Sequence, residues 1–271
     1  MNVLSLFDGM SCGQIALNQL GFKIDNYFAS EIDKDAMKIA KKNFPNMQHI
    51  GDVTKVKGSE LPKIDLLIGG SPCQGFSFAG KQLNFNDPRS ALFFEFVRLL
   101  KETNPKYFLL ENVRMKTEYQ DVITEHLNWI EPIAINSSLV SAQNRNRLYW
   151  TNIPDVEQPK DKGILLKDIL DNDAEEPMLS NIYGGFKETK PRIHYGKSVT
   201  IRTATGGGHI PSITLKTGNY RTISPTECEK LQTVPSGYTE GVSNTSRYKM
   251  LGNGWTVDVI KHIFGNMNEL S

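Results

Sequence analysis

Cys73 stands in the stretch Ser71-Pro72-Cys73-Gln74, at the end of an apolar run, Ile64-Asp65-Leu66-Leu67-Ile68-Gly69-Gly70. That run reads as a buried strand breaking into a glycine turn. A cysteine at the carboxyl end of a strand, just before a loop, occupies the part of an open α/β sheet where ligands bind. Pro72 restricts the chain, and the paired glycines let the backbone approach a ligand closely. A lone free cysteine is more commonly a small core hydrophobe, so its companions decide the matter. One is the polar pair Glu111-Asn112, closing the strand Tyr107-Phe108-Leu109-Leu110 and lying near Cys73 if the sheet is parallel. Another is Gln143-Asn144-Arg145-Asn146-Arg147, ahead of Leu148-Tyr149-Trp150. Two arginines at i, i+2 on a strand point the same way and can fork onto a phosphate, or hold a base and a carboxylate. Surface arginines on an edge strand are the plainer alternative.

Regular elements must place these groups. Val3-Leu4-Ser5-Leu6-Phe7 reads as a first strand, running into the turn Asp8-Gly9-Met10-Ser11-Cys12-Gly13 and a helix (Ile15, Ala16, Leu17, Leu20) stopped by Gly21. This is the opening of a nucleotide-binding βαβ unit. Tyr27-Phe28-Ala29-Ser30 ends in Glu31, 18 residues past Gly13, the place of a carboxylate that grips ribose hydroxyls. A helix from Lys34 to about Asn43 and a strand around His49-Ile50 ending at Asp52 follow. The turn is not the G-x-G-x-x-G of dinucleotide enzymes, which points to an adenosine cofactor without phosphates, such as S-adenosylmethionine. Asp8 suits the positive methionine end of that cofactor. Phe93 to Leu100 form a helix capped by Asp87-Pro88, and another spans Tyr119 to Trp129 before a pair of strands. From about Pro154 to Tyr220 the pattern loosens, with a flexible turn at Thr203 to His209, so this reads as a recognition segment rather than core. Structure resumes at the capping box Ser224-Pro225-Thr226-Glu227 and ends in an apolar element from about Trp255 to Phe264, preceded by Gly252-Asn253-Gly254.

The totals bound the class. With 271 residues, 39% of them hydrophobic, the chain holds one large domain or one with an appendage. No apolar run approaches the ~20 residues of a membrane span, and the start lacks a signal-peptide pattern. Three cysteines (Cys12, Cys73, Cys228), far apart and without metal-ligand spacing, fit an intracellular, soluble protein with no metal. Net charge is +1, yet charge is segregated. Asp155 to Glu176 carries eight acids against three lysines; Lys187 to Arg221 carries seven bases (Lys187, Lys190, Arg192, Lys197, Arg202, Lys216, Arg221) against Glu188 alone. Such a stripe binds a polyanion, or forms a solvated face.

In this order, Phe7-Asp8-Gly9 with Gly13, Glu31, Asp52, Pro72-Cys73-Gln74, Glu111-Asn112-Val113, Gln143 to Arg147, Arg221 through Leu231-Gln232, and Gly252-Asn253 resemble the cytosine-C5 DNA methyltransferases along essentially the whole chain. The resemblance implies an α/β fold: a Rossmann-like S-adenosylmethionine-dependent methyltransferase sheet with a small irregular target-recognition segment. Residues 1–153 with 222–271 would form the catalytic domain, and 154–221 the recognition domain. The final helix would return beside the first strand.

The same resemblance implies the chemistry. Cys73 attacks cytosine C6 as thiolate, and Glu111, kept protonated near neutral pH by burial, contacts N3. C5 then takes the methyl group, leaving S-adenosylhomocysteine. Arg145, Arg147 and a nearby helix start are candidates for lowering the thiol from its usual ~8.5. Arg147 also helps hold the base, and Asn112 shapes the loop. Cofactor contacts fall to Phe7, the turn Asp8, Gly9, Met10, Ser11 and Cys12, Glu31 with Ile32, and Asp52-Val53. Pro72 and Leu92 line the pocket, and Asn253, Gly254 and Trp255 close it. The partner is double-stranded DNA whose target base is flipped out. Contacts to it are expected from Gln74, Ser77, Lys81, Arg145, Arg202, Gly207, His209 and Lys216.

Ser71, Asp8 and Gly254-Trp255 depart from the common bacterial motifs and look like the animal de novo enzymes, as does Leu92-Phe93-Phe94-Glu95-Phe96. The short span between Arg147 and Arg221 speaks against a long specific target. An RNA-directed enzyme of the same chemistry, a non-catalytic regulator and, more remotely, a Rossmann oxidoreductase are the alternatives.

Overall fold

The computed structural model describes residues 1–71, 88–181, 190–203 and 210–267, with the backbone alone for 88–90. Strands apolar on both faces belong in a parallel sheet covered by helices on each side. Here the large sheet comprises β1 (Asn2–Leu6), β2 (Asn26–Ser30), β3 (Gln48–His49), β4 (Leu66–Gly69), β5 (Tyr107–Val113), β6 (Ile133–Asn136) and β7 (Asn146–Thr151), in the order β3-β2-β1-β4-β5-β7-β6. The first five run parallel, and β7 is antiparallel to both β5 and β6. Alternation along the strands feeds two cores. Val3, Ala29, Ile68 and Leu109 face one, and Leu4, Phe28, Leu67 and Leu110 the other.

The helices are α1 (Cys12–Gln19), α2 (Lys34–Asn43), α3 (Pro88–Thr103), α4 (Thr117–His126), α5 (Pro225–Leu231), α6 (Asn244–Asn253) and α7 (Val257–Phe264). Local signals set several bounds. Asp33 caps α2, its carboxylate accepting from the backbone N–H groups of Asp35 and Ala36 at 3.0 Å. Ser224 and Glu227 form the expected box at α5, with Pro225 at its first position. The chain returns at its end, so that α7 packs along α1 and joins the core of Val3 and Ile68. No helix among the described residues is long and apolar enough to cross a membrane.

Two features differ from the sequence reading. α6 was not anticipated, because its first turn is polar and Gly252 disfavours a helix interior. Gly252 is there because a Cβ would stand 2.3 Å from the Arg202 carbonyl carbon, so the helix and the 201–203 segment touch backbone to backbone. The expected loose segment carries a second, antiparallel sheet, β11-β10-β8-β9, of β8 (Ala174–Ser180), β9 (Arg192–His194), β10 (Ser212–Leu215) and β11 (Tyr220–Thr222). Met178 and Ile213 are fully buried and Ile201 nearly so, and all three share a core with β1 and β4. Three of these strands have only three or four residues, and the pairing of β10 with β8 shifts register between Ile213 and Thr214, so little of this sheet shows a period in sequence.

Candidate active site

Parallel pairing of β4 with β5 sets Gly69 opposite Leu110. β4 ends there while β5 runs on to Val113 beside β7, and Ser71 meets Asn112, whose Nδ2 donates to the Ser71 carbonyl and Oγ at 3.4 and 3.3 Å. The expected neighbourhood of the Cys73 loop and Glu111-Asn112 is present up to Ser71. Pro72, Cys73, Gln74, Ser77 and Lys81 lie outside the described residues, as do Gly207 and His209.

Glu111 pairs with Tyr149 across β5 and β7, and Val113 with Arg147. Glu111 and Arg147 are thus diagonal neighbours on one face, within reach of long side chains. Arg147 Nε lies 3.0 Å from Glu111 Oε1, both side chains largely buried. The other oxygen, Oε2, accepts from the indole Nε1 of Trp255 at 3.1 Å. One oxygen of the carboxyl thus faces the Arg147 guanidinium as an ion pair, and the other accepts a directed hydrogen bond from Trp255, at the carboxyl edge of the sheet.

Arg145 corrects the expectation placed on it. It precedes β7, is 3% exposed, and its guanidinium donates to the carbonyls of Ile201 (3.2 Å), Gly252 (3.1 Å) and Gly254 (2.9 Å). Burial and the neighbouring Arg147 charge push its pKa down to about 10, so it stays protonated at neutral pH. It is a buried tie between the 201–203 segment and the end of α6, with no face for DNA. Arg145 and Arg147 do not point alike, because only Arg147 lies on the strand.

At the carboxyl ends of β1 to β3 the turn residues gather. Gly9 takes φ +59 with no atom within 4 Å of the place of a Cβ, and its N–H donates to Glu31 Oε2 at 2.7 Å. Glu31 Oε1 accepts from the Ile32 and Asp33 N–H groups at 2.7 and 2.8 Å. A carboxylate has about four acceptor sites, which leaves one for a hydroxyl. Ile32 beside it is 75% exposed, an apolar surface with no protein cover. Asp52 caps the turn beginning at the buried Val53 by accepting from Thr54, and its other oxygen makes no hydrogen bond among those described. Open space over Gly9, a carboxylate with a spare acceptor and a bare apolar side chain fit a nucleoside. Phe7, with φ 55, and Leu92, on α3, are half-buried against the core of Leu4 and Leu67, and Asn253 is exposed at the end of α6.

Three turn residues have side chains engaged within the protein. Asp8 accepts from Ser5 Oγ (2.6 Å) and Tyr27 Oη (2.8 Å) on Oδ1 and from Ser11 Oγ on Oδ2. Its carboxyl braces the turn instead of meeting a positive cofactor end, and burial pushes its pKa up to about 6 against the pull of those hydroxyls. Met10 and Cys12 have buried side chains, and Tyr238 donates to the Met10 carbonyl at 2.7 Å. Desolvation pushes the Cys12 thiol up to about 12 and raises Cys228 further, so neither is a thiolate. Sequence reasoning missed Tyr27 and Ser5, which look like ordinary strand residues.

The basic stripe divides. Lys197 is tied to the carbonyls of Ser138, Ser141 and Ile164, and Arg221 bridges Asp173 and the buried Glu227. Lys190, Arg192, Arg202 and Lys216 are exposed. Among the described residues no group of three or more His, Cys, Asp or Glu is placed to hold a metal ion.

Comparison with known proteins agrees with this arrangement. The structure resembles a mutant of DNMT2 from Spodoptera frugiperda (TM-score 0.73, 22% identity, 98% of each chain) and the methyltransferase EhMeth of Entamoeba histolytica (TM-score 0.77, 18% identity, 99% of each chain). In sequence it is 32% identical to the type II methyltransferase M1.ScrFI of Lactococcus lactis subsp. cremoris, over 99% of this chain and 78% of that one. It is 27% identical to M.HhaI of Haemophilus parahaemolyticus, over 98% and 94%. The family model for C-5 cytosine-specific DNA methylases matches residues 1–182 and 142–269, and the chain therefore belongs to that family, whose members methylate cytosine C5 in DNA from S-adenosylmethionine.

Proposed function

We propose that the sheet edge around Glu111 is where this enzyme activates a flipped-out cytosine, with Cys73 as nucleophile at C6 and Glu111 at N3. The observation that carries the reading is the Glu111 carboxyl, ion-paired on one oxygen, hydrogen-bonded on the other and set on the strand beside Ser71, two residues ahead of Cys73. The Cys73 thiolate forms a C–S bond at C6 while Glu111, which takes up a proton from solvent as the base binds, passes that proton to N3, which leaves C5 electron-rich. S-adenosylmethionine, when bound, supplies an electrophilic methyl group on sulfur. After C5 takes that methyl, loss of the C5 proton expels the thiolate, and the N3 proton returns to Glu111. Arg147 pairs with Glu111 whenever that carboxyl is ionised. Gly9, Glu31, Ile32, Asp52 and Val53 hold the nucleoside end of the methyl donor. A base within a duplex cannot reach a strand tip, so it must leave the stack. Arg202 and Lys216 support the phosphates, and residues 154–221 form the recognition domain.

A duplex carrying 5-fluorocytosine tests this, because fluorine cannot leave C5 as the proton does. With S-adenosylmethionine the wild type becomes covalently trapped, and Cys73→Ala neither traps nor methylates while still binding S-adenosylhomocysteine. Turnover by Cys73→Ala overturns the nucleophile. Methylation of tRNA with none of duplex DNA overturns the nucleic-acid class and leaves the chemistry standing.

A further inference from the structure

We infer that Trp255 is a positioning residue for Glu111, and that the buried polar network behind it exists to hold that indole in place. The inference rests on the role proposed above for Glu111. A carboxyl held by one donor still swings about its last torsion, since terminal sp³–sp² torsions are broad. Arg147 Nε attracts Oε1 as an ion pair at 3.0 Å, and the Trp255 N–H holds Oε2 in a directed hydrogen bond at 3.1 Å. Trp255 therefore supplies the directional contact, and together with the ion pair it sets the plane of the carboxyl.

Indole is a donor only, on a rigid ring, and its backbone here is unusually constrained. The Gly254 carbonyl accepts from Arg145 Nη2 at 2.9 Å and from Gln232 Nε2 at 3.0 Å. Gln232 also takes the Leu251 carbonyl at 2.7 Å, and its Oε1 accepts from Thr256 Oγ1 at 2.8 Å. Ser137 Oγ donates to that hydroxyl at 2.8 Å. Residues on both sides of Trp255 are therefore tied to side chains that are buried and fully partnered. The ring lies over two glycines. At Gly70 a Cβ would stand 3.0 Å from both Glu111 Oε2 and Trp255 Nε1, and at Gly13 it would stand 3.6 Å from Trp255 Cζ3. Gly70 leaves the gap in which the hydrogen bond forms, and Gly13 brings the other end of the indole to the start of α1. Arg145 thereby acts on the reaction through Trp255 and not by touching substrate.

Trp255→Phe keeps an aromatic ring, smaller than indole, and deletes the N–H; Gly70→Ala wedges a methyl between the two partners. Both are compared with wild type and Glu111→Gln for kcat, KM for duplex DNA, S-adenosylhomocysteine affinity and Tm. The expected result is a fall in kcat of about tenfold for each, with S-adenosylhomocysteine affinity within about twofold of wild type. Loss of cofactor affinity in step with kcat overturns the inference, since Trp255 is then only a pocket wall. Unchanged kcat in Trp255→Phe beside an inactive Glu111→Gln also overturns it, while the role of Glu111 stands. Full activity in Glu111→Gln overturns both. Gly70→Ala decides the question should Trp255→Phe fail to fold.

Discussion

Arg147 Nε and Glu111 Oε1 are 3.0 Å apart across two antiparallel strands, with side chains 13% and 11% exposed. Removing one member of so sheltered a pair leaves the other charge without a partner, which costs more than the pair contributes. Arg147→Ala should lower stability by about 3 kcal/mol in denaturant unfolding, and Glu111→Gln, which removes the charge but keeps the shape, by less. Equal losses in the two variants would show that the ion pair does not govern this edge.

Arg145 and Arg147, two residues apart, should part company in assay. Arg145→Ala strands the carbonyls of Ile201 and Gly252 and should destabilise by about 3 kcal/mol, without altering how DNA affinity depends on salt. Arg202→Ala and Lys216→Ala should do the reverse, keeping Tm and each lowering the salt slope by about one. A shallower slope in Arg145→Ala would return that residue to the DNA interface.

Asp8 carries a pH signature. Its carboxyl is pushed up to about 6 in the fold from an ordinary 3.8, chiefly by burial. Between those values the folded state binds more protons than the unfolded one, so this group's contribution to stability falls as pH rises from about 4 to 6. Above 6 the penalty is complete, at most about 3 kcal/mol. The stability of wild type relative to Asp8→Asn should therefore decline from pH 4 to pH 7 in urea titrations. A difference that grows with pH would mean that the three hydroxyls outweigh burial.

Thiol labelling separates the cysteines. Cys12 and Cys228 are buried with raised pKa values, so folded Cys73→Ala should resist iodoacetamide at pH 8 and react only on unfolding. Rapid modification of that variant would mean that one of the two opens to solvent.

What the sequence determined by itself was local or periodic. The βαβ opening, the bounds of α2, the Ser224–Glu227 box and a carboxylate at the tip of β5 were all legible, because caps, turns and strand ends are set by residues a few positions apart. Only the tertiary structure decided what the polar residues do. β7 begins at Asn146, so Arg147 rides the strand to Glu111 while Arg145 turns into the junction with Ile201 and Gly254. Asp8 became a brace because Tyr27 and Ser5, on two different strands, converge on it. The bond from Trp255 to Glu111 spans 144 residues and passes over Gly70, and no spacing rule reaches that far. Contacts of that kind arise from the return of the last helix to the first, a consequence of packing rather than of local pattern.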